Sequence, residues 1–387
     1  MDFIPYSRQC ITQDDIDAVC AILKSDYLTQ GPAVPLFEKE FALKHQVAEA
    51  VAVSNATAGL HIALLALGVS AGSRVWTSPN SFVASANCAL YCGASIDFVD
   101  IDPNTRNMSV SALRAKLEHM ASVGKLPDVV IPVDFAGMPC DMREIRELAL
   151  IYKFKILEDA SHAAGANYLG VPVGSRFADA TVFSFHAVKI ITSAEGGIVT
   201  TNDSAVADRL RLLRSHGVSK DLGSMERKPD GMWYYEQSLL GYNYRLTELQ
   251  AALGSSQLRR LRGLRSQRET LVHRYDKLLA DLPLLLPLHF NDRSSAWHLY
   301  VVEVDESRTK KTRGEVFVKL REKNIGVNVH YIPIHTQPYY CRLGFRRGDF
   351  PASERYYERA VTIPLFPQMT EVQQLRVAEA LQAAFQS

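Results

Sequence analysis

Short apolar runs alternate with amphipathic stretches along the first part of the chain. EAVAVS leads into NATAGLHIALLALG, SRVWTS into PNSFVASANCALYCG, and SIDFVDID into a helix near Ser111 to Ser122. DVVIPVDFAG then leads into MREIRELALIYK, and FKILED follows. Runs such as Val129 to Val133 are apolar at successive positions, which suits strands covered on both faces, and the helices between them serve as crossovers joining parallel neighbours. Residues 1–255 are therefore predicted to form an α/β domain with a mostly parallel central sheet and helices on both faces. Ligands of such sheets gather beyond the carboxyl ends of the strands, where Asn55, Asp134, Asp159 and Ser184 fall.

Within that pattern the run Phe154 to Leu157 ends in Glu158 and Asp159, and the run Ala180 to Phe185 leads into FSFHAVK, which closes on Lys189. A lysine after a strand is ordinarily solvated surface, and an aspartate at a strand end is ordinarily a loop or capping residue. Here both stand in one βαβ-like segment, and FSFHAVKIITSA holds almost no other charge. Desolvation in such company lowers a lysine pKa and makes the neutral, nucleophilic amine available. A pyridoxal phosphate site uses an acid at one strand end and an amine past the next. The lysine holds the cofactor as a Schiff base, and the aspartate keeps the pyridine nitrogen protonated.

A phosphate tail needs a cradle, and Ser54 to Ala58 offers one, because the N–H groups and dipole at a helix start favour an anion and Thr57 adds a hydroxyl. On that segment alone a simple Asn or Thr cap is the plainer reading. Neither GxGxxG nor GxxxxGK[ST] is present, which argues against dinucleotide-binding and P-loop folds. Phe82, opening the helix-like SFVASANCAL, reads either as a core aromatic or as a ring stacked on a flat cofactor.

The flanks read as follows. Residues 1–11 form an extended arm near the site, ITQDDIDAVCAIL a helix capped by Thr12 with Asp15, and Gly31-Pro32 a turn. The segment from Gly241 to Leu282 reads as one long helix or a pair, with the basic run Arg259 to Arg268 as its wet face. After Leu285 come hairpin-like strands in WHLYVVEV, a helix in TRGEVFVKLREKN, a strand over GVNVHYIPIH and a closing helix from Glu371. Residues 256–387 thus read as a smaller α+β domain. With 387 residues and a net charge of +1, nothing points to nucleic acid or a membrane as partner. No signal peptide or membrane span is read. Six cysteines without CxxC spacing fit reduced thiols in a cytoplasm better than disulfides or a zinc site, and no metal is expected.

The chain resembles the DegT/DnrJ/EryC1/StrS family of pyridoxal-phosphate-dependent sugar aminotransferases over essentially its whole length. The resemblance rests on LTQGP (28–32), SNATAGLH (54–61), SFVASAN (81–87), VDFAG (133–137), EDASHAAGA (158–166), FSFHAVK (183–189), AEGGIVTTND (194–203), RSHG (214–217) and GYNYRLTELQAALG (241–254). IPYSRQCIT, SNAT, DASHA and HYIPIH resemble most the branch that serves pseudaminic acid biosynthesis. His162 stands where many relatives carry Gln, and Ala164 where many carry His. The resemblance implies the fold-type I (aspartate aminotransferase-like) architecture and a homodimer with shared active sites. It implies that Lys189 binds the cofactor and carries a proton, Asp159 pairs with the pyridine nitrogen, Phe82 stacks on the ring, and His162 contacts or supports the side of the 3-oxygen. Thr57, the Ala58 amide and Ser184 would meet the phosphate, with Asn243 reaching a phosphate in the neighbouring subunit. Tyr6, Gln30, Arg245, His330 and Tyr331 are the expected substrate contacts. The implied reaction moves an amino group from L-glutamate to C4 of a UDP-linked 4-keto-6-deoxy-N-acetyl sugar. Rival readings are a C4-aminotransferase for another UDP- or dTDP-sugar, and a non-catalytic cofactor-binding regulator or scaffold.

Overall fold

The computed structural model describes residues 2–221, 223 and 225–386. Its main sheet contains β1 (Glu49–Val53), β2 (Arg74–Thr77), β3 (Ser95–Phe98), β4 (Val129–Ile131), β5 (Lys155–Asp159), β8 (Ala180–Ser184) and β9 (Gly197–Thr201), in the order β1-β9-β8-β5-β4-β2-β3. The pairings among β8, β5, β4, β2 and β3 are parallel, and β9 alone runs antiparallel, to both β1 and β8. The sheet is mostly parallel, as the alternation predicts. Two-residue strands β6 (Asn167–Tyr168) and β7 (Val171–Pro172) lie between β5 and β8 in sequence.

Successive residues of each strand enter opposite cores, which is why the runs are apolar without alternation. Val51, Val53, Val129, Leu157 and Val182 pack with helices α3 (Ala56–Ala66), α4 (Ala84–Tyr91) and α7 (Ser204–Arg214). Their neighbours Ala50, Ala52 and Phe183 face α2 (Ala33–His45) and α8 (Glu248–Arg259). Trp76, Val130 and Ile156 face α5 (Val110–Ser122) and α6 (Met142–Tyr152). Helix α1 (Gln13–Leu23) has the expected Thr12/Asp15 capping box. Helix α2 begins after Pro32 without a side-chain cap of its own. Buried Glu248, at the start of α8, accepts the Ala33 N–H at 2.6 Å instead.

The segment after Gly241 is a pair of helices, α8 and α9 (Leu261–Leu278). Its basic run is not uniformly wet. Arg260 pairs with buried Asp15, Arg265 donates to the Gly165 carbonyl, and Arg268 is fully buried, donating to the carbonyls of Trp297, His298 and Leu365. A run of like charges on a helix reads as solvated because sequence does not reveal which carbonyls converge on it.

Two further pairs, β10 (Val218–Ser219) with β11 (Glu236–Gln237) and β6 with β13 (Arg293–Ser294), decorate the large sheet's surroundings. Strands β12 (Leu284–Leu285), β14 (Tyr300–Val304) and β15 (Ala360–Ile363) form an antiparallel sheet that shares a core with α9, α10 (Arg313–Glu322) and α13 (Glu371–Gln386). Ile4 from the N-terminal arm joins that core and bridges Ile325. The expected strand over GVNVHYIPIH does not form: only Asn328 bridges Thr362. Pro333 has no N–H for a ladder. The chain enters a 3-10 turn at Ile334–Thr336, and the Ile334 N–H donates to the Pro79 carbonyl. This turn and α11 (Pro338–Arg342) carry Ile334 and Tyr340 back onto the core of the large sheet, while α12 (Pro351–Arg359) packs Tyr356 with Ile101, Phe135, Leu299 and Val301. Among the described residues no helix is long and apolar enough to cross a membrane.

Candidate active site

Strands β5 and β8 run parallel side by side, with Asp159 opposite Val182 and Ser184 two residues further along β8, and the loop after β8 holds Lys189 by its N–H to the His186 carbonyl. Asp159 is buried and held by named donors. Ser85 Oγ donates to its Oδ2 at 2.6 Å and the Ser161 N–H to its Oδ1 at 3.1 Å. Ser85 Oγ also lies 2.7 Å from Ser81 Oγ, and because the Ser85 proton goes to the carboxylate, Ser81 donates to Ser85. Burial pushes the Lys189 amine down to about 8, against the opposing pull of the Asp159 charge.

Three buried imidazoles feel the Lys189 charge, and burial holds all three below their ordinary range, with that charge adding to the effect: His162 well below, His298 well below, and His330 at about 3. They are neutral at physiological pH, which fixes a tautomer. His162 Nδ1 accepts the Ala136 N–H at 3.2 Å, so its proton sits on Nε2 and donates to Tyr331 Oη at 3.2 Å. The Tyr331 hydroxyl, raised by burial and so kept protonated, retains its own hydrogen as a donor. His330 Nδ1 lies 2.8 Å from Thr362 Oγ1, and Tyr6 packs on the His330 ring with centroids 5.8 Å apart. Phe82 is 59% exposed, 6.3 Å from the Tyr331 ring, so it is no core aromatic and leaves a face free beside the crevice.

The start of α3 carries an Asn cap. Asn55 Oδ1 accepts the Ala58 N–H at 2.8 Å, so the Asn cap is real and an anion would share that amide. Thr57 lies in the same first turn. Gly197 lets β9 pass close against it: a Cβ there would stand 2.7 Å from the Ala56 nitrogen and from the Asn55 carbonyl carbon. Asn243 is exposed and bridges Ser215; Arg245 is half-buried just before α8; Gln30 is exposed in the turn before α2, with φ at 56°. Among the described residues, the charge interactions that link Lys189 to Asp159, His162 and His330, and the ring contacts that link those histidines to Tyr331, Tyr6 and Phe82, do not reach these three.

Sequence reasoning missed two members. Ser85 had a signal, since it lies three positions after Phe82 in SFVASAN, one helical turn on. His298 had none. It comes from the segment just before β14, with its ring 4.5 Å from that of His162 and its Nδ1 buried without a partner among the described residues.

A buried amine whose pKa is pushed down to about 8 within the field of a carboxylate fixed by Ser85 and Ser161, together with an exposed aromatic face at Phe82, suits pyridoxal phosphate, and the fold is that of the aminotransferases that use it. This is a pyridoxal-phosphate-dependent enzyme of the sugar aminotransferase class. Residues 9–382 match the model of the DegT/DnrJ/EryC1/StrS aminotransferase family, and the chain belongs to that family. It is 41% identical over 372 residues to the spore coat polysaccharide biosynthesis protein SpsC of Bacillus subtilis, spanning 95% of this chain and 94% of that protein. Among solved structures, Helicobacter pylori PseC, an aminotransferase involved in pseudaminic acid biosynthesis, overlays with a TM-score of 0.90 at 31% identity, covering 100% of both chains. Streptococcus pneumoniae Spr1654 in its PLP-form overlays with a TM-score of 0.88 at 28% identity, covering 99% of both.

Proposed function

We propose that the enzyme transfers the amino group of L-glutamate to C4 of a UDP-linked 4-keto-6-deoxy-N-acetylhexosamine, yielding UDP-4-amino-4,6-dideoxy-N-acetyl-β-L-altrosamine for a pseudaminic acid pathway. The observation that carries this reading is the neutral, tautomer-fixed His162–Tyr331 pair beside Lys189. It is built from DASHA and HYIPIH, the motifs shared with the pseudaminic acid branch. When bound, the cofactor would supply an electron sink for the carbon that loses its proton.

The chain's own residues do the rest. Lys189, near pH 8 in its affinity for a proton, takes that proton from one carbon and returns it to another. Asp159, oriented by Ser85 and Ser161, meets the pyridine nitrogen, and Phe82 covers the ring. Both nitrogens of His162 are spent on Ala136 and Tyr331, which suits a supporting role over a direct contact. Thr57, Ala58 and Ser184 line the phosphate end. Tyr6, Gln30, Arg245, His330 and Tyr331 serve the sugar nucleotide, with the free Tyr331 hydrogen available to a carbonyl or hydroxyl oxygen.

Asn243 completes the phosphate site of a second copy. Met232, Trp233, Tyr235 and Leu240 stand 103%, 74%, 57% and 78% exposed beside it in sequence, an apolar surface that a homodimer would cover.

The stronger identity to a spore-coat polysaccharide protein favours a second reading, a C4-aminotransferase for another UDP- or dTDP-4-keto-6-deoxy sugar. Purified enzyme incubated with glutamate and a panel of such sugars decides between them. The proposal expects the altro-configured UDP-4-amino sugar by NMR of the product; amination of only a different nucleotide sugar would overturn it.

A further inference from the structure

We infer that the small domain carries a transition-metal site of two imidazoles and one carboxylate, made by His273, Asp276 and His289. His273 and Asp276 lie three residues apart on α9, one helical turn, so both project on the same face. His289 arrives from the segment after β12. His289 Nε2 is 2.9 Å and His273 Nδ1 is 3.8 Å from Asp276 Oδ2, and the three ligand atoms all lie within 4.8 Å of one another. A tetrahedral ion with bonds of about 2.0–2.1 Å holds its ligand atoms roughly 3.3 Å apart, so a small common shift seats all three.

The surroundings orient the donors as those of a metal site do. The second Asp276 oxygen, Oδ1, accepts from the buried Tyr300 hydroxyl at 2.8 Å, which aims Oδ2 at the histidines. The His273 and His289 rings are stacked, 16° from parallel with centroids 5.5 Å apart, and His289 packs on Trp297 at 5.1 Å. Two nitrogens and one oxygen suit Zn²⁺ or a neighbouring late transition ion and are poor ligands for Mg²⁺ or Ca²⁺. Three protein ligands leave the outer position to water. The ion would tie the 286–290 segment to α9 just ahead of Trp297 and His298. The sequence offers no sign of this, because the third ligand is thirteen residues from the second and lies across a strand.

The plain alternative is two histidines sharing one carboxylate by hydrogen bonding. Calorimetric titration of the cofactor-loaded enzyme with ZnCl₂ separates the two, with Co²⁺ loading to identify the donors. The site predicts one ion per chain, at least tenfold weaker binding in His289→Ala and in Asp276→Asn with transamination retained, and a cobalt spectrum without a thiolate charge-transfer band. Binding unchanged in both variants, a thiolate band, or no zinc uptake by the wild-type enzyme below millimolar concentration would each overturn it.

Discussion

In the proposed reaction Lys189 is the residue on which the chemistry turns, and its surroundings would set when it works. With its amine pushed down to about 8 by burial, it is mostly protonated below that pH and mostly neutral above it. Cofactor uptake by the apo-enzyme, followed by absorbance, is expected to speed up with rising pH and level off above about pH 8. His162 and His330 contribute no inflection near the ordinary histidine value, because both are already neutral there. Lys189→Ala should lose the near-visible absorbance of lysine-linked cofactor and lower turnover by about 10³-fold or more, since in the proposed reaction one group would both bind the cofactor and move the proton. A variant that keeps both spectrum and rate would place the chemistry elsewhere.

At the scale of elements, the strand ends must hold charge behind the site. Glu158, on β5 next to Asp159, and Asp134, just past β4, are both buried. Burial, only partly offset by the Thr181 hydroxyl, pushes Glu158 up to about 7, and burial together with the Glu158 charge raises Asp134 well above the usual range. The folded state therefore keeps a proton that the unfolded chain releases near 4.5. That contribution to stability is fully present below about pH 4.5 and is lost as pH rises through about 7. Glu158→Gln should flatten this part of the stability profile, measured by urea unfolding from pH 4.5 to 7.5; an unchanged slope would show that the pair holds no such proton. Helix α9 makes a second element-level link. Arg268→Met leaves the carbonyls of Trp297, His298 and Leu365 without their shared donor and is expected to cost about 3 kcal/mol or more in urea unfolding.

For the whole molecule, the question is where one active site ends. Asn243 is exposed and outside the Lys189 network, which is understandable if it serves a neighbouring copy. Mixing Lys189→Ala with an impaired Asn243→Ala variant, with subunit exchange, should then restore activity. Hybrid dimers carry both lesions in one site and none in the other, so recovery approaches roughly a quarter of the wild-type rate. No recovery in proven heterodimers would confine each site to one chain. Within the chain, the loop after β4 packs against the segment that precedes β14. A Cβ on Gly137, which has φ at 95°, would stand 2.9 Å from the His162 carbonyl and 3.0 Å from the Trp297 nitrogen, so this contact admits only glycine.

What could be read from the chain alone follows from local physics. Apolar runs specify strands covered on both faces, and an acid and an amine at successive strand ends specify a site beyond them, because side-chain period and strand direction act over a few residues. The sheet order with its antiparallel β9, the burial of Arg268 and the arrival of His298 beside His162 were settled only in three dimensions. Each depends on which distant carbonyls, rings and cores come within a few ångströms, and nothing in the neighbouring sequence encodes that.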